Sequence, residues 1–254
     1  MKHCLIFALT LILSLDLTAQ QATATGKNAL VVGNSAYKDS PLKNAENDAH
    51  LISTTLRELG FTVIEVVNAN KETMSKAIRD FGQLLANSPG VGLFYYAGHG
   101  LQSNGANYIV PINAKVEEEF EIEFECVKAD RALSVMEYYK NPFNIIILDA
   151  CRNNPFRGFS RSADNGLATP SNPPTGSIIA FATQPGKTAS DGVGKNGLYT
   201  EELVKAMKIP NLPIEEAFKK VRINVAKASG QSQVPQEWSS LMGDFSFIKE
   251  EKIE

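Results

Sequence analysis

The segment Gly92-Leu-Phe-Tyr-Tyr-Ala-Gly-His-Gly100 contains an apolar run that ends in a histidine between two glycines. Five successive apolar or aromatic residues, Leu93 to Ala97, are typical of a strand that is covered on both faces. A second run of this kind, Asn144-Ile-Ile-Ile-Leu148, leads into Asp149-Ala-Cys151. Continuous runs favour a parallel sheet with helices on both sides, so these two segments predict an α/β fold.

The rest of the chain alternates short apolar strands with amphipathic helices. From Ala45 to Leu59, apolar residues recur at spacings of 4, 3, 4 and 3, which is typical of a helix with one buried face. Repeated strand–helix–strand units predict a mainly parallel sheet with helices on both faces. The predicted strands are 28–34, 61–67, 91–96, 144–148, 177–182 and 244–249, and the predicted helices are 44–59, 129–139, 197–207, 213–229 and one that starts at Asn70.

Three segments depart from this alternation. A small solvent-facing hairpin is predicted for residues 108–113 and 116–127. In the second of these segments, glutamates alternate with other residues. The glutamates are also compatible with a cation site, although a solvated strand face is the simpler interpretation. Within this hairpin, we expect Cys126 to be a half-buried apolar residue. Residues 152–176, rich in Pro, Gly, Ser and Asn, predict one long irregular loop.

The N-terminus has the three parts of a secretory signal peptide. A short positive start at Met1-Lys2 is followed by an apolar core and by small residues near Ala19. The core is about 13 residues long, whereas a membrane anchor needs about 20. We therefore expect residues 1–19 to be removed and residues 27–249 to form one domain of an exported protein, periplasmic or secreted, that does not remain in the membrane.

The composition of the 254-residue chain argues against several classes of protein. With 25 Lys and Arg against 28 Asp and Glu, the net charge of −3 provides no broad basic surface for nucleic acid. Three cysteines are too few for a disulfide scaffold, and the spacing of Cys and His residues predicts no metal site. The segment Gly33-Asn-Ser-Ala-Tyr37 lacks the glycine pattern of a phosphate-binding loop, so a nucleotide-binding domain is not expected.

The positions of one histidine and one cysteine in the sequence predict a catalytic pair. His99 and Cys151 each lie just past the end of a predicted buried strand, 52 residues apart, and parallel sheets bind ligands at such ends. An imidazole can take the proton of a neighbouring thiol and leave a nucleophilic thiolate. The glycines beside His99 favour a tight turn, and the backbone amides of Gly100 and Cys151 are candidates for an oxyanion hole. Taken singly, either residue could be structural, as we expect for His50 on a helix surface and for Cys126.

The motifs that contain these residues resemble those of the caspase-like cysteine peptidases. They are Tyr95-Tyr-Ala-Gly-His-Gly100, Asn107-Tyr-Ile-Val-Pro-Ile-Asn113 and Asp149-Ala-Cys-Arg-Asn-Asn-Pro155, and the likeness is strongest to bacterial metacaspase-type members, the orthocaspases. The resemblance covers residues 29–248. It implies the caspase-hemoglobinase fold, with a mostly parallel six-stranded sheet flanked by helices, and a cysteine endopeptidase that needs no cofactor.

The resemblance also implies roles for individual residues. Cys151 would attack the substrate carbonyl as the nucleophile, and His99 would act as general base and then as general acid, oriented by a backbone carbonyl rather than by an Asp. Some relatives are activated by calcium, but the acidic residues here form no recognisable calcium site. The expected partner is a peptide or protein substrate, and the sequence leaves open whether the chain is a monomer or a dimer.

Charge indicates which substrate residue is recognised. Metacaspase-like relatives bind Arg or Lys through acidic side chains, and Asp48 and Asp149 match acidic positions of that pocket. Two carboxylates would bind a guanidinium or ammonium group and repel a substrate Asp. Asp48 could instead complement its helix dipole, and Asp149 could brace a turn. Asp191, which precedes a glycine, is a weaker third acid, since a turn Asp before Gly is common.

The long loop carries two basic residues in exposed-looking settings, Arg157 and Arg161. An enzyme that cuts after basic residues could cleave itself there, between the two halves of the domain. Two alternatives stay open at this point: a catalytically silent scaffold of the same fold, and an exported thiol amidase or transpeptidase that acts on cell-wall material. The presence of both His99 and Cys151 speaks against the scaffold.

Overall fold

The computed structural model describes residues 26–151, 155–156, 167–168, 174–184 and 194–250, and for Cys151 it describes the backbone alone. Several sequence predictions therefore lie outside the described residues. They are the signal peptide at 1–19, the third acid Asp191, the basic pair Arg157 and Arg161, and most of the long loop 152–176.

A mostly parallel sheet of six strands forms the centre of the described part of the chain. The described residues contain eight strands: β1 (Gly26–Gly33), β2 (Thr62–Val67), β3 (Gly90–Ser103), β4 (Ala106–Ile109), β5 (Val127–Lys128), β6 (Phe143–Cys151), β7 (Ser177–Phe181) and β8 (Gln236–Ser239). All but β4 and β5 form this central sheet. The order across the sheet is β2-β1-β3-β6-β7-β8, and all neighbours are parallel except β7 and β8. The short strand β4 pairs antiparallel with the far end of β3 and with β5. The predicted six-stranded α/β fold is confirmed.

Helices cover both faces of the sheet, as predicted. They are α1 (Ala45–Glu58), α2 (Lys71–Asn87), α3 (Ile122–Glu125), α4 (Arg131–Tyr138), α5 (Leu198–Met207) and α6 (Ile214–Ala228). Helices α1, α5 and α6 pack on one face, and α2 and α4 pack on the other. Asn70 caps α2 as expected, because its side chain accepts a hydrogen bond from the Thr73 amide at 2.8 Å. In the described part of the chain, no helix is long and apolar enough to span a membrane.

Two-sided burial explains the continuous apolar runs of the central strands. In β3, Leu93 and Tyr95 belong to the core beneath α1 and α5, whereas Phe94 and Tyr96 belong to the core beneath α2 and α4. All four residues are at most 1% exposed. Because successive side chains of a strand point to opposite faces, a strand that is covered on both sides needs an apolar residue at every position.

The prediction of a glutamate-rich hairpin is wrong for residues 116–126. They contain a 3₁₀ turn (Glu119–Glu121) followed by the short helix α3. Glu118 and Glu121 form a capping box, in which each side chain accepts a hydrogen bond from the backbone of the other, and this box caps the start of the 3₁₀ turn. Ile122 and Cys126, four residues apart, are both buried, so the segment meets the core with helical spacing. Cys126 is 2% exposed rather than half-buried.

The prediction of a last strand at 244–249 is also wrong. The last described strand is β8, where Trp238 packs edge-on against Phe181 with ring centroids 5.3 Å apart. The segment 244–248 instead bonds to the loop between α5 and α6, whose Asn211 and Ile214 amides donate to backbone carbonyls at 2.9 Å. Its apolar residues therefore cover the core on the α5 and α6 side, where Phe247 is 3% exposed.

Candidate active site

Strand β3 carries His99 further than the sequence predicts. The apolar run indicates a strand that ends near Tyr96 and a tight turn at His99, but β3 continues to Ser103. Its pairing partner changes at His99, since residues 91–99 pair with β6 and residues 100–103 pair with β4. The predicted turn is therefore wrong, and His99 lies where the strand leaves the main sheet.

His99 and Cys151 are register partners on neighbouring strands. The parallel pairing of β3 with β6 ends with His99 opposite Cys151, which is also the last residue of β6. Neighbouring strands lie about 4.8 Å apart, so the two backbones are adjacent. The two residues that the sequence predicts to be catalytic thus lie next to each other at the carboxyl ends of their strands.

The loop between β1 and α1 holds the imidazole of His99. The residue is 4% exposed, its Nε2 atom lies 2.7 Å from the backbone oxygen of Ser40, and its ring centroid lies 4.5 Å from that of Tyr37. A carbonyl oxygen only accepts hydrogen bonds, so in the neutral ring Nε2 carries the proton and Nδ1 is the basic nitrogen. Ser40 supplies the kind of backbone carbonyl that the family resemblance implies. Neither Ser40 nor Tyr37 belongs to a motif that predicts this contact.

Two carboxylates, Asp48 on α1 and Asp149 on β6, approach the N-terminus of α5. Asp48 is 4% exposed, and its Oδ1 accepts hydrogen bonds from Asn196 Nδ2 and from the Gly197 amide, both at 2.9 Å. Asp149 is partly buried, and its Oδ2 accepts a hydrogen bond from the Thr200 hydroxyl at 2.7 Å. These contacts fix both carboxylates at the same helix end.

The two carboxylates converge on Gly197. A side chain placed there would put its Cβ 3.0 Å from Asp48 Oδ2 and 3.9 Å from Asp149 Oδ2. The glycine therefore contributes no side-chain atoms to the space between the two oxygens. Burial raises the pKa of the Tyr95 hydroxyl, and repulsion by Asp149 and Asp48 raises it further. The two carboxylates themselves give this part of the site a negative potential.

Comparison with known proteins identifies the family. A family model described as the caspase domain matches residues 27–246. The chain belongs to the caspase-domain family of peptidases. It is 34% identical over 137 residues to the human mucosa-associated lymphoid tissue lymphoma translocation protein 1, a match that covers 53% of this chain and 16% of that protein. The mouse homologue is 34% identical over 134 residues, covering 52% of this chain and 16% of its own length.

The caspase domain also has a solved structural neighbour. The crystal structure of the Drosophila initiator caspase Dronc superimposes with a TM-score of 0.62, covering 89% of this chain and 84% of that chain. At 15% sequence identity the likeness shows the fold alone. The caspase-type fold expected from the motifs is thus confirmed, whereas the aligned segment spans only about a sixth of the length of the curated relatives.

The acids of this caspase domain also have a structural role. Asp48 lies in the first turn of α1, yet its carboxylate accepts a hydrogen bond from Gly197, the N-cap residue of α5. Asp149 lies within β6, opposite Ala97. Both carboxylates hold the first residues of α5, where a negative charge is favourable. A carboxylate has about four acceptor positions, so this role is compatible with binding a cation.

The packing around Gly100, which follows His99, leaves no room for a side chain. A Cβ on Gly100 would stand 2.9 Å from the Cβ of Ala150 and 3.3 Å from Cδ2 of Leu167. A side chain at this position would push β3 away from β6 beside the register pair of His99 and Cys151. The amides of Gly100 and Cys151 stay predicted donors to an oxyanion.

His50 and Cys126 are the histidine and the cysteine that the sequence predicts to be structural. His50 lies on the surface of α1, where its side chain is 53% exposed and bonds to Glu65, and its predicted surface position is confirmed. Burial raises the pKa of the Cys126 thiol to about 12, so this thiol stays protonated at neutral pH. Among the described residues, no group of three His, Cys, Asp or Glu side chains is placed to hold a metal ion.

Proposed function

We propose that this caspase domain is a cysteine endopeptidase that cuts peptide bonds after Arg or Lys. The observation that carries the proposal is the register of β3 and β6, which sets His99 beside Cys151 two residues beyond Asp149. Membership of a peptidase family supports hydrolysis of peptide bonds. The N-terminal sequence supports export, with residues 1–19 as the signal that is removed.

Acylation begins with proton transfer from the Cys151 thiol to His99 Nδ1. The sulfur then attacks the carbonyl carbon of the substrate's basic residue, and a C–S bond forms. As the tetrahedral intermediate collapses, the C–N bond breaks and the proton on Nδ1 goes to the leaving amine. Water next attacks the thioester while Nδ1 takes its proton, the C–S bond breaks, and that proton returns to the sulfur.

The hydrogen bonds around His99 are compatible with these proton transfers. The hydrogen bond from Nε2 to the Ser40 carbonyl keeps the proton of the neutral ring on Nε2, so Nδ1 exchanges the proton with the thiol. When Nδ1 is protonated, the same carbonyl stabilises the positive charge of the ring. The amides of Gly100 and Cys151 are the proposed donors to the negative oxygen of the tetrahedral intermediate.

The charge of the pocket determines which residue precedes the cut. Asp149 is partly exposed and Asp48 is 4% exposed, so one negative charge lies near the surface and the other lies in the interior. A planar guanidinium can donate separate N–H groups to two carboxylates, and an ammonium group can bind either of them. A substrate Asp would bring a third negative charge beside the two carboxylates, which disfavours binding.

A panel of fluorogenic peptides that differ only in the residue before the leaving group tests this function. We expect kcat/KM for Arg and Lys peptides to exceed that for citrulline and Asp peptides by about 100-fold or more, because citrulline keeps the shape of Arg but has no charge. A reductant is included because an exported thiol can be oxidised. The variant Cys151→Ala is the control for contaminating peptidases.

The panel has three outcomes that would contradict the proposal. Cleavage after Asp alone would reverse the assignment of the pocket. Absence of cleavage by the wild-type protein would favour a catalytically silent scaffold. Faster hydrolysis of cell-wall amides than of any Arg peptide would favour a thiol amidase.

Basic specificity leads us to expect self-cleavage after Arg157 or Arg161. Incubation of the wild-type protein should yield two fragments whose intact masses place the cut after one of these residues, while Cys151→Ala stays whole. The double variant Arg157→Gln/Arg161→Gln should also stay whole yet cleave Arg peptides at the wild-type rate. Equal cleavage of the wild-type protein and Cys151→Ala would show that another peptidase makes the cut.

A further inference from the structure

Two buried tyrosine hydroxyls join the backbone of His99 to that of Val110. The Tyr96 hydroxyl donates to the His99 carbonyl at 2.7 Å, and the Tyr37 hydroxyl accepts from the His99 amide at 3.1 Å. The Val110 amide donates to the His99 carbonyl at 3.0 Å and also to the Tyr96 hydroxyl at 3.2 Å, and the Tyr37 hydroxyl donates to the Val110 carbonyl at 2.9 Å. In this arrangement each hydroxyl donates once and accepts once, which closes a ring of hydrogen bonds.

This hydroxyl ring lies where β3 changes its pairing partner. The parallel ladder with β6 ends at His99, and the antiparallel ladder with β4 begins at Gly100. A buried peptide at such a change still needs a partner for its N–H and its C=O, because an unpaired buried group is costly. The Tyr37 hydroxyl is the partner of the His99 amide, and the Tyr96 hydroxyl is a second donor to the His99 carbonyl, beside the Val110 amide. Both tyrosines are at most 6% exposed, so bulk water does not compete with these bonds.

Gly98 belongs to the same arrangement. Its φ of +155° is a backbone conformation that other residues rarely adopt. A Cβ at this position would stand 2.5 Å from the Tyr96 hydroxyl oxygen and 2.8 Å from the Tyr37 hydroxyl oxygen. The two hydroxyls thus occupy the space that a side chain at position 98 would need, directly before the histidine.

We propose that Tyr37 and Tyr96 are positioning residues that hold the His99 backbone, and through it the imidazole, in register with Cys151. This inference rests on the proposed function, in which the imidazole and the thiol exchange a proton. Tyr37 also contacts the imidazole ring directly, with centroids 4.5 Å apart. Burial raises the pKa of both tyrosines well above its ordinary value, so both hydroxyls stay protonated and the pattern of donors is the same from acid to mildly alkaline pH.

The variants Tyr37→Phe and Tyr96→Phe remove the hydroxyls and keep the aromatic rings. We expect each to lower kcat for an Arg peptide by about 10- to 100-fold with KM within about twofold, because a small displacement of a catalytic group costs about that much. The kcat of the double variant should be little lower than that of either single variant, since either change alone breaks the ring of hydrogen bonds. Tyr108→Phe, which alters a buried tyrosine in the same small apolar core as Tyr37, is the matched control and should keep the wild-type kcat.

The pH dependence of Cys151 alkylation by iodoacetamide provides a readout that needs no peptide substrate. Peptide mass spectrometry follows the labelling of Cys151 separately from that of Cys126. A well-placed imidazole lowers the apparent pKa of the thiol, so both Phe variants should shift the midpoint upward by about one pH unit, towards the ordinary value of about 8.5. The Tyr108→Phe profile should match the wild-type profile.

The two readouts separate failure of the inference from failure of the function. A wild-type protein that cleaves no peptide, but whose alkylation midpoint rises in the Phe variants, would refute the proposed function and support the positioning role. An unchanged alkylation midpoint in both variants would overturn the positioning role whatever the activity. Unfolding of one variant leaves the other as the test, and unfolding of both would overturn the proposal by assigning the tyrosines a purely structural role.

Discussion

Replacement of His99 by Ala is expected to lower kcat for an Arg peptide about 10³-fold at pH 7 with little change in KM. Transfer of a proton by a positioned side chain contributes about 10² to 10⁴ in rate. The imidazole has the geometry for this, because the Ser40 carbonyl accepts a hydrogen bond from Nε2 and leaves proton exchange to Nδ1. The loss should shrink at pH 9, where a thiol of ordinary pKa, about 8.5, ionises without a base.

His50→Ala is the matched control for this prediction. His50 lies on the surface of α1 and bonds to Glu65, so its loss removes a histidine without touching the register pair. Steady-state kinetics and the thermal midpoint of unfolding are measured for both variants. An equal fall in kcat for His50→Ala and His99→Ala, or wild-type activity in His99→Ala, would contradict the role of His99 as the general base.

The sheet and the His99–Cys151 pairing were predictable because both follow from local patterns combined with one topological rule. Runs such as Asn144 to Leu148 are apolar at nearly every position, as a strand beneath two helix layers must be. The carboxyl ends of parallel strands share one edge of the sheet, so residues that follow two such runs become neighbours. No contact energy had to be known to place His99 near Cys151.

The parts of the site that escaped prediction depend on contacts between distant backbone atoms. The Ser40 carbonyl lies 59 residues from His99 in sequence, and any residue type provides a carbonyl. The hydrogen bond from Gly197 to Asp48 spans 149 residues and depends on how α5 packs beside α1. Such contacts leave no periodic pattern in the sequence, so only the folded chain shows them.

The wrong predictions have local causes. The glycines around His99 favour a turn, but Gly98 serves to make room for two tyrosine hydroxyls within a continuing strand. Glutamates at alternate positions suggested a strand, whereas Glu118 and Glu121 are three residues apart and start a 3₁₀ turn as a capping box. In both places one residue pattern is compatible with two local structures, and the tertiary contacts decide between them.

Removal of the pocket charges is expected to have the second large effect, on specificity rather than on chemistry. Asp48→Asn/Asp149→Asn should lower kcat/KM for an Arg peptide about 10³-fold and leave the slow hydrolysis of the citrulline peptide within about threefold of wild type. Loss of the acceptor for a desolvated charge costs several kcal/mol, whereas a neutral substrate loses only hydrogen bonds. Kinetics with the matched pair of peptides measure the difference directly.

The change to Asn separates charge from structure because Asn keeps an oxygen that accepts from Gly197 and Thr200. The double variant should therefore unfold within a few degrees of wild type, so a loss of Arg cleavage reports on the pocket. Glu58→Gln, at the far end of α1 in a surface pair with Lys208, removes a carboxylate away from the site and should change neither peptide. A parallel fall in the hydrolysis of both peptides would mean that the two acids only hold α5 in place, and the preference for basic residues would then need another source of negative charge.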